Sequence, residues 1–292
     1  MNQIAVISGK GGTGKSSISA AFASLGTNVV VADCDVDAAN LYLLFDPSVE
    51  EEHVYVAGHK AVIDYARCTT CGLCTGYCRF DAISEKDGRI VINEISCDGC
   101  FLCSRICPEK AISMVPNDKS RYYSGSFRNG KMVYGRLAPG EENSGKLVNL
   151  VRELAGKTAE ECGSDTIILD GPPGIGCPVI STITGVDQVL IVTEPTMSGL
   201  SDLGRAADIA LRFGLTPSVI VNKSDLNTDM TEEIVKWCGE KNITVQGILP
   251  FDRKVVEAMV MGRTITEYEP ESRVSIEIKK IWNNIFKVKS HE

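Results

Sequence analysis

Gly9-Lys10-Gly11-Gly12-Thr13-Gly14-Lys15-Ser16 follows an apolar run, Ile4 to Ile7, and leads into a segment, Lys15 to Leu25, with helical spacing. Glycines at these positions let backbone N–H groups turn inward around phosphate oxygens at a helix N-terminus, where the peptide dipoles favour an anion. The pattern G-x-x-x-x-G-K-S in strand–loop–helix context predicts a phosphate-binding loop running from Gly9 to Ser17. In such a loop Lys15 reaches the β- and γ-phosphates of a nucleoside triphosphate and the Ser16 hydroxyl ligates Mg²⁺.

Outward from the loop, a strand at 28–32 completes a βαβ opening. The same rhythm resumes late in the chain, with strands at 166–169, 188–192, 218–221 and 244–249 and helices at 144–162, 198–213 and 228–241. Parallel strands covered on both faces read as short, nearly continuous apolar runs, and these do. The pattern predicts an α/β fold with a doubly wound, mostly parallel sheet. Carboxylates that end such strands face the crevice where ligands bind, which singles out Asp33, Asp35 and Asp170. Asp33 and Asp35 can also be read as ordinary turn residues, and Asp37 as a helix N-cap.

The rhythm breaks between residues 59 and 118, read as an inserted domain in a main domain of 1–58 and 119–292. Cys68-x2-Cys71-x2-Cys74-x3-Cys78 recurs as Cys97-x2-Cys100-x2-Cys103-x3-Cys107-Pro108. This is the spacing of bacterial two-cluster ferredoxins, a small α+β fold in which the fourth cysteine of each run crosses to the other cluster. One 4Fe-4S cluster then takes Cys68, Cys71, Cys74 and Cys107, and the other Cys97, Cys100, Cys103 and Cys78. Two tetrahedral zinc sites are the alternative for paired CxxC units. Arg79 stands where ferredoxins commonly have proline, which bears on the shielding of the nearby cluster. Residues 121–138, with Asn129-Gly130, predict a hairpin that returns the chain to the main sheet.

Hydrophobic residues make up 43% of the 292-residue chain and the net charge is −8. The acidic balance works against binding nucleic acid through its phosphates. Twelve cysteines and no leader-like start point to reduced thiols in the cytoplasm and to cluster ligation rather than disulfides. No apolar stretch approaches the ~18 residues needed to span a bilayer. Cys34, Cys162 and Cys238 read as small packed side chains. Cys177, just past Asp170, is a candidate reporter of nucleotide state, and His53, His59 and His291 have no evident ligand partners. Ile278, Ile281, Trp282, Ile285 and Phe286, flanked by Lys279, Lys280, Lys287 and Lys289, predict an amphipathic last helix. Docking on the sheet is the favoured reading of it and membrane contact the alternative.

The loop K-G-G-T-G-K-S resembles the deviant Walker A motif of the MinD/ParA/nitrogenase-iron-protein family. Together with the cysteine runs and their order, the chain resembles MinD-superfamily P-loop ATPases with an inserted ferredoxin domain. The resemblance implies an ATPase with ATP and Mg²⁺ as ligands, and a nucleotide-dependent homodimer in which Lys10 reaches the partner's phosphates. It implies catalytic roles for Lys10, Lys15, Asp35 and Asp170. Asp33-Cys34-Asp35 looks like switch I, with Asp35 positioning the attacking water. Asp170-Gly171-Pro172-Pro173-Gly174 looks like the Walker B and switch II region, so that Ser16, Asp33 and Asp170 surround Mg²⁺. Asn222 and Pro250 match adenine-contact positions, although Asn222-Lys223-Ser224-Asp225 also fits the guanine signature N-K-x-D. Three uses are implied: nucleotide-gated electron transfer to a redox partner, cluster delivery to a receiving protein, and spatial organisation. A C-terminal CxxC of the carrier type is absent.

Overall fold

The structure, a computed structural model, describes residues 1–286; Lys287, Lys289 and His291 lie outside them. The chain begins β1 (Asn2–Ser8), α1 (Lys15–Leu25), β2 (Val29–Asp33), α2 (Leu41–Phe45) and β3 (Ser48–Tyr55). A cysteine-bearing stretch follows, with β4 (His59–Ile63), α3 (Leu73–Tyr77), β5 (Ile83–Lys86), β6 (Arg89–Ile92), α4 (Leu102–Ile106) and β7 (Ile112–Pro116). The hairpin β8 (Ser120–Phe127) and β9 (Gly130–Arg136) leads to α5 (Ser144–Cys162), β10 (Thr166–Pro173), α6 (Cys177–Ile183) and β11 (Gln188–Thr193). The rest is α7 (Met197–Arg212), β12 (Pro217–Val221), α8 (Thr228–Glu240), β13 (Thr244–Ile248), α9 (Lys254–Val260), α10 (Ile265–Tyr268) and α11 (Arg273–Phe286).

Nine strands form one sheet in the order β13-β12-β11-β1-β10-β2-β9-β8-β3. Neighbours from β13 through β9 run parallel. The α/β, mostly parallel expectation therefore agrees with the structure. Successive strands leave β1 in both directions: α1 leads over β10 to β2, and β10 is followed by β11 on the far side of β1. Reversal of strand order opens a crevice at the strand carboxyl ends, and the loop after β1 enters it.

Two compact units are distinguishable: residues 1–52, 122–135 and 145–292, and residues 53–121 and 136–144. The stretch 59–118 lies within the second, which also includes 136–144. That unit holds two antiparallel pairs, β4 with β7 and β5 with β6, around a small core of Ala61, Ala82, Cys97 and Ile112.

In the first unit, α11 buries Val274, Ile278, Ile281 and Ile285 in the main core. Trp282 stacks on Phe286 at 3.8 Å, and both rings meet Phe22 of α1, at 6.0 and 5.7 Å. The apolar face of the last described helix is thus engaged by the core, as its docking reading expects, and does not face outward for a membrane. Trp282→Ala is expected to lower stability by about 2–4 kcal/mol, somewhat less than the ~3–5 kcal/mol typical of a fully buried aromatic, because the ring is only partly buried. Urea denaturation checks this, and a midpoint equal to wild type would mean the helix is not part of the core. No described helix is long and apolar enough to cross a membrane.

Candidate functional site

The loop between β1 and α1 passes through left-handed backbone at Gly12 (φ 80°) and Gly14 (φ 91°). Left-handed backbone strains a side-chain-bearing residue, and a Cβ on Gly14 would also overlap the Asn222 amide. Two residues after β12 fasten the loop from its carbonyl side. Asn222 Nδ2 donates to Thr13 O at 2.8 Å, and Lys223 Nζ donates to Gly12 O at 2.7 Å. With the carbonyls engaged behind it, the loop presents its N–H groups to a cavity of about 440 Å³. The walls include residues 11–18, Asp35, Asn222 and Pro250.

Beneath the loop Lys15 Nζ meets Asp170 Oδ1 at 3.0 Å, with 6% and 0% of the two side chains exposed. Ser19 Oγ donates to the same oxygen at 2.7 Å. Asp170 Oδ2 is buried with no hydrogen-bond partner. Burial opposes the Lys15 ammonium, but Asp170, with Asp33 and Asp35 behind it, outweighs burial and raises its pKa, keeping it charged. Lys15 Nζ also donates to Ser16 Oγ at 3.1 Å, so the Ser16 hydroxyl and the carboxylate with the orphaned oxygen are both held by one ammonium, a set of oxygen donors that fits a hard divalent cation.

Asp33 is placed differently from its expectation as a cation ligand. Its Oδ1 accepts from Asp35 N at 3.1 Å, and its Oδ2 from Asn40 N at 2.9 Å and Leu41 N at 3.1 Å. The carboxylate therefore props the turn that presents Asp35, and it is Asp35 that lines the cavity. Burial, with Asp170 nearby, pushes Asp33 up to about 7 against the pull of those N–H groups. Burial also raises Asp35, only partly offset by Lys15. Asp37 is exposed in the turn and caps nothing; Asn40 occupies the N-cap of α2. The N-cap expectation fails because the helix starts one turn later.

Lys10 folds back within its own chain. Its Nζ lies 2.7 Å from Glu194 Oε1 and donates to Ser198 Oγ at 2.9 Å and Thr196 Oγ1 at 3.1 Å. Glu194 also holds Lys223 at 3.0 Å. Burial raises the Glu194 carboxyl, yet the hydrogen bonds from Lys10 and Lys223 prevail and hold it below the usual carboxylate range. Glu194, Ser19 and the loop-fastening role of Lys223 were not legible in the sequence, since each acts across a long stretch of chain.

At the far end the cavity is apolar, bordered by Pro250, Phe251, Val255 and Met259, as suits the face of a base. Asn222 reaches this wall, but its amide oxygen accepts from Lys223 N while its nitrogen holds the loop. Asp225, the carboxylate of the guanine reading, accepts from Phe251 N at 2.6 Å.

In the second unit the thiols gather around two cavities. Cys68, Cys71, Cys74 and Cys107 line one. Cys78, Cys97, Cys100 and Cys103 line the other, which Cys74 also borders. All twelve cysteines are free thiols. Among the described residues no three His, Cys, Asp or Glu side chains converge closely enough for a single metal ion. Elsewhere, Cys34 is buried, and burial beside Asp33 pushes its thiol up. Burial takes Cys238 up to about 11. Cys162 is half-buried and Cys177 is exposed at the start of α6.

A phosphate loop at the reversal of a parallel sheet, backed by a buried lysine–aspartate pair, defines the class of P-loop nucleotide-binding proteins. Within that class the chain belongs to the CobQ/CobB/MinD/ParA nucleotide-binding family, whose model matches residues 4–265. It is 34% identical to the uncharacterized protein MJ0578 of Methanocaldococcus jannaschii over 97% of this chain and 96% of that one. It is 25% identical to an iron-sulfur cluster carrier protein of Pyrococcus horikoshii, over 98% of this chain and 88% of that one. The fold is similar to that of the cell division ATPase MinD of Pyrococcus furiosus, with a TM-score of 0.58, 18% identity and 98% of each chain covered.

Proposed function

We propose that the protein is a MinD/ParA-type ATPase in which nucleotide-driven closure of a homodimer is coupled to electron transfer through two 4Fe-4S clusters. The observation that carries this reading is the sorting of eight thiols, four around each of two cavities, in a chain whose other unit holds a nucleotide loop. Spread around a cavity rather than converged on a point, the thiols suit a polynuclear cluster better than single zinc ions. Cys68, Cys71, Cys74 and Cys107 would hold one cluster; Cys78, Cys97, Cys100 and Cys103 the other. Bound clusters supply one-electron chemistry.

At the nucleotide site Lys15 neutralises the β- and γ-phosphates, and Ser16 and Asp170 are the groups that would hold Mg²⁺. Asp35, presented by the turn that Asp33 props, accepts a hydrogen bond from the attacking water. Lys10 leaves Glu194 to reach the phosphates of a second copy. The apolar far wall and the engagement of Asp225 with the Phe251 N–H favour adenine over guanine. In this reading the protein works in the cytoplasm, where thiols stay reduced, and passes electrons to a redox protein.

A second reading, cluster delivery to a receiving protein, is favoured by the relative named an iron-sulfur cluster carrier. Anaerobic purification, iron and sulfide analysis, and EPR of dithionite-reduced protein with and without MgATP separate the two. About eight irons per chain and a spectrum or potential that shifts with MgATP are expected. Clusters that pass to an apo-acceptor on adding MgATP would favour delivery. Zinc with no acid-labile sulfide would overturn both.

A further inference from the structure

We propose that Lys60 sets the order of the two clusters. Its buried charge raises the reduction potential of the cluster on Cys78, Cys97, Cys100 and Cys103 above that of the other, so that an electron entering the unit settles there. This rests on the two-cluster reading above.

Lys60 lies on β4 with 8% of its surface exposed. Its ammonium donates to Cys97 O at 2.7 Å and to Gly140 O at 3.0 Å, two carbonyls rather than a carboxylate. A buried cation carries a large desolvation cost, and a neutral donor would serve as well if a tie were all that the site needed. Close packing already joins these segments: a Cβ on Gly140 would run into Ile95 O, and one on Gly99 into His59 O. The charge is therefore the property that packing does not account for. It sits one carbonyl away from a ligand cysteine of one set.

Among the described residues Lys60 is the one buried cation of this unit; Arg67 and Lys110, which neighbour the other set, are exposed to solvent. The cavity of that other set is bordered by one charged side chain, Glu109, and the Lys60-side cavity by one, Asp98. Both carboxylates are exposed, so they act alike and largely cancel in the difference between the sites. Three other groups bear on the balance, one of them Glu94, which feels the Lys60 charge from an exposed position where solvent screens it. Ala111 N donates to Cys107 Sγ at 3.3 Å, which favours the reduced state of the first cluster. Glu141, with a buried Oε1 lacking a partner, stands near enough to Lys60 and Lys119 to feel both charges, and dampens Lys60. A full charge in a low-dielectric interior outweighs one amide dipole, and burial of Glu141 favours its neutral form.

In the step concerned, a low-potential one-electron donor loses one electron and the cluster beside Lys60 gains it. With dithionite as donor, EPR-monitored titration of the anaerobic holoprotein reads both midpoint potentials. Cys107→Ser, which removes a ligand of the other cluster, assigns them. Lys60→Gln and Lys60→Met are expected to lower the potential of the Cys97-side cluster alone. The partition of the first electron between clusters should change about tenfold, or ~59 mV for a one-electron couple. Lys60→Arg should preserve it. Full iron content with both potentials unmoved in Lys60→Gln overturns the proposal, as does a fall in Lys60→Arg equal to that in Lys60→Met. If Lys60→Met fails to load iron, Lys60→Gln, which retains a donor, decides. Wild-type protein without iron and sulfide would instead remove the two-cluster reading itself.

Discussion

Lys15→Met is expected to weaken MgATP binding at least about 100-fold, the equivalent of two charge-assisted contacts at roughly 1.5 kcal/mol each. The same substitution should destabilise the nucleotide-free protein at neutral pH by about 3–5 kcal/mol, the usual consequence of breaking a buried ion pair from one side. The second effect separates this lysine from a surface residue that only meets ligand. Its ammonium lies 3.0 Å from Asp170, almost wholly buried, with Asp33 also fully buried below the loop. Take the ammonium away and two buried carboxylates face each other without a cation.

Protons can replace that cation, which gives the prediction a pH signature. Asp33 has a folded pKa of about 7 against an ordinary value of 3.8, with burial as the main cause. An acid that holds its proton more tightly in the fold than in the unfolded chain favours folding most below the unfolded pKa. That contribution shrinks as pH rises through the window from 3.8 to about 7 and is gone above it. In wild type Lys15 limits the loss. In Lys15→Met the deficit should be large at pH 7.5 and markedly smaller at pH 5.5, as read from urea midpoints. A deficit independent of pH, or MgATP affinity within threefold of wild type, would count against the buried-charge account.

Much of this arrangement was legible in the sequence because its causes are local. The strands of the parallel sheet bury both faces, so their apolar runs carry their own boundaries; α1 and α5 begin and end where periodicity put them. No strand was expected at β3, because Glu50-Glu51-Glu52 interrupts the apolar alternation of Ser48–Tyr55, and charge is what keeps an exposed edge from pairing with another chain. Site residues divide the same way. Motif spacing named the phosphate loop. It did not reveal that of two aspartates two positions apart one props the turn and the other lines the cavity, because that depends on where the backbone of residues 40 and 41 returns. Nor did it reveal Glu194 holding Lys10, a contact between residues 184 positions apart whose pairing only the sheet order creates.

If the proposed two clusters are bound, Cys107→Ser and Cys78→Ser are expected to remove different ones, each costing about four of eight irons. Connectivity within each run would put Cys78 with Cys68, Cys71 and Cys74, so that Cys71→Ser and Cys78→Ser would erase the same EPR signal. The structure sets Cys78 in the cavity with Cys97, Cys100 and Cys103, and Cys107 in the cavity with the first run. Cys71→Ser and Cys107→Ser should therefore share one loss, and Cys78→Ser and Cys100→Ser the other. Identical residual spectra for Cys71→Ser and Cys78→Ser would refute the crossing. Crossing also has a mechanical consequence. Each cluster is then closed by a cysteine from the other run, so neither half of the unit can open without releasing a thiolate from both sites. On the proposed two-cluster reading the pair of clusters would lock the fold that holds them, and either single substitution should lower thermal stability of the loaded protein more than its share of iron alone implies.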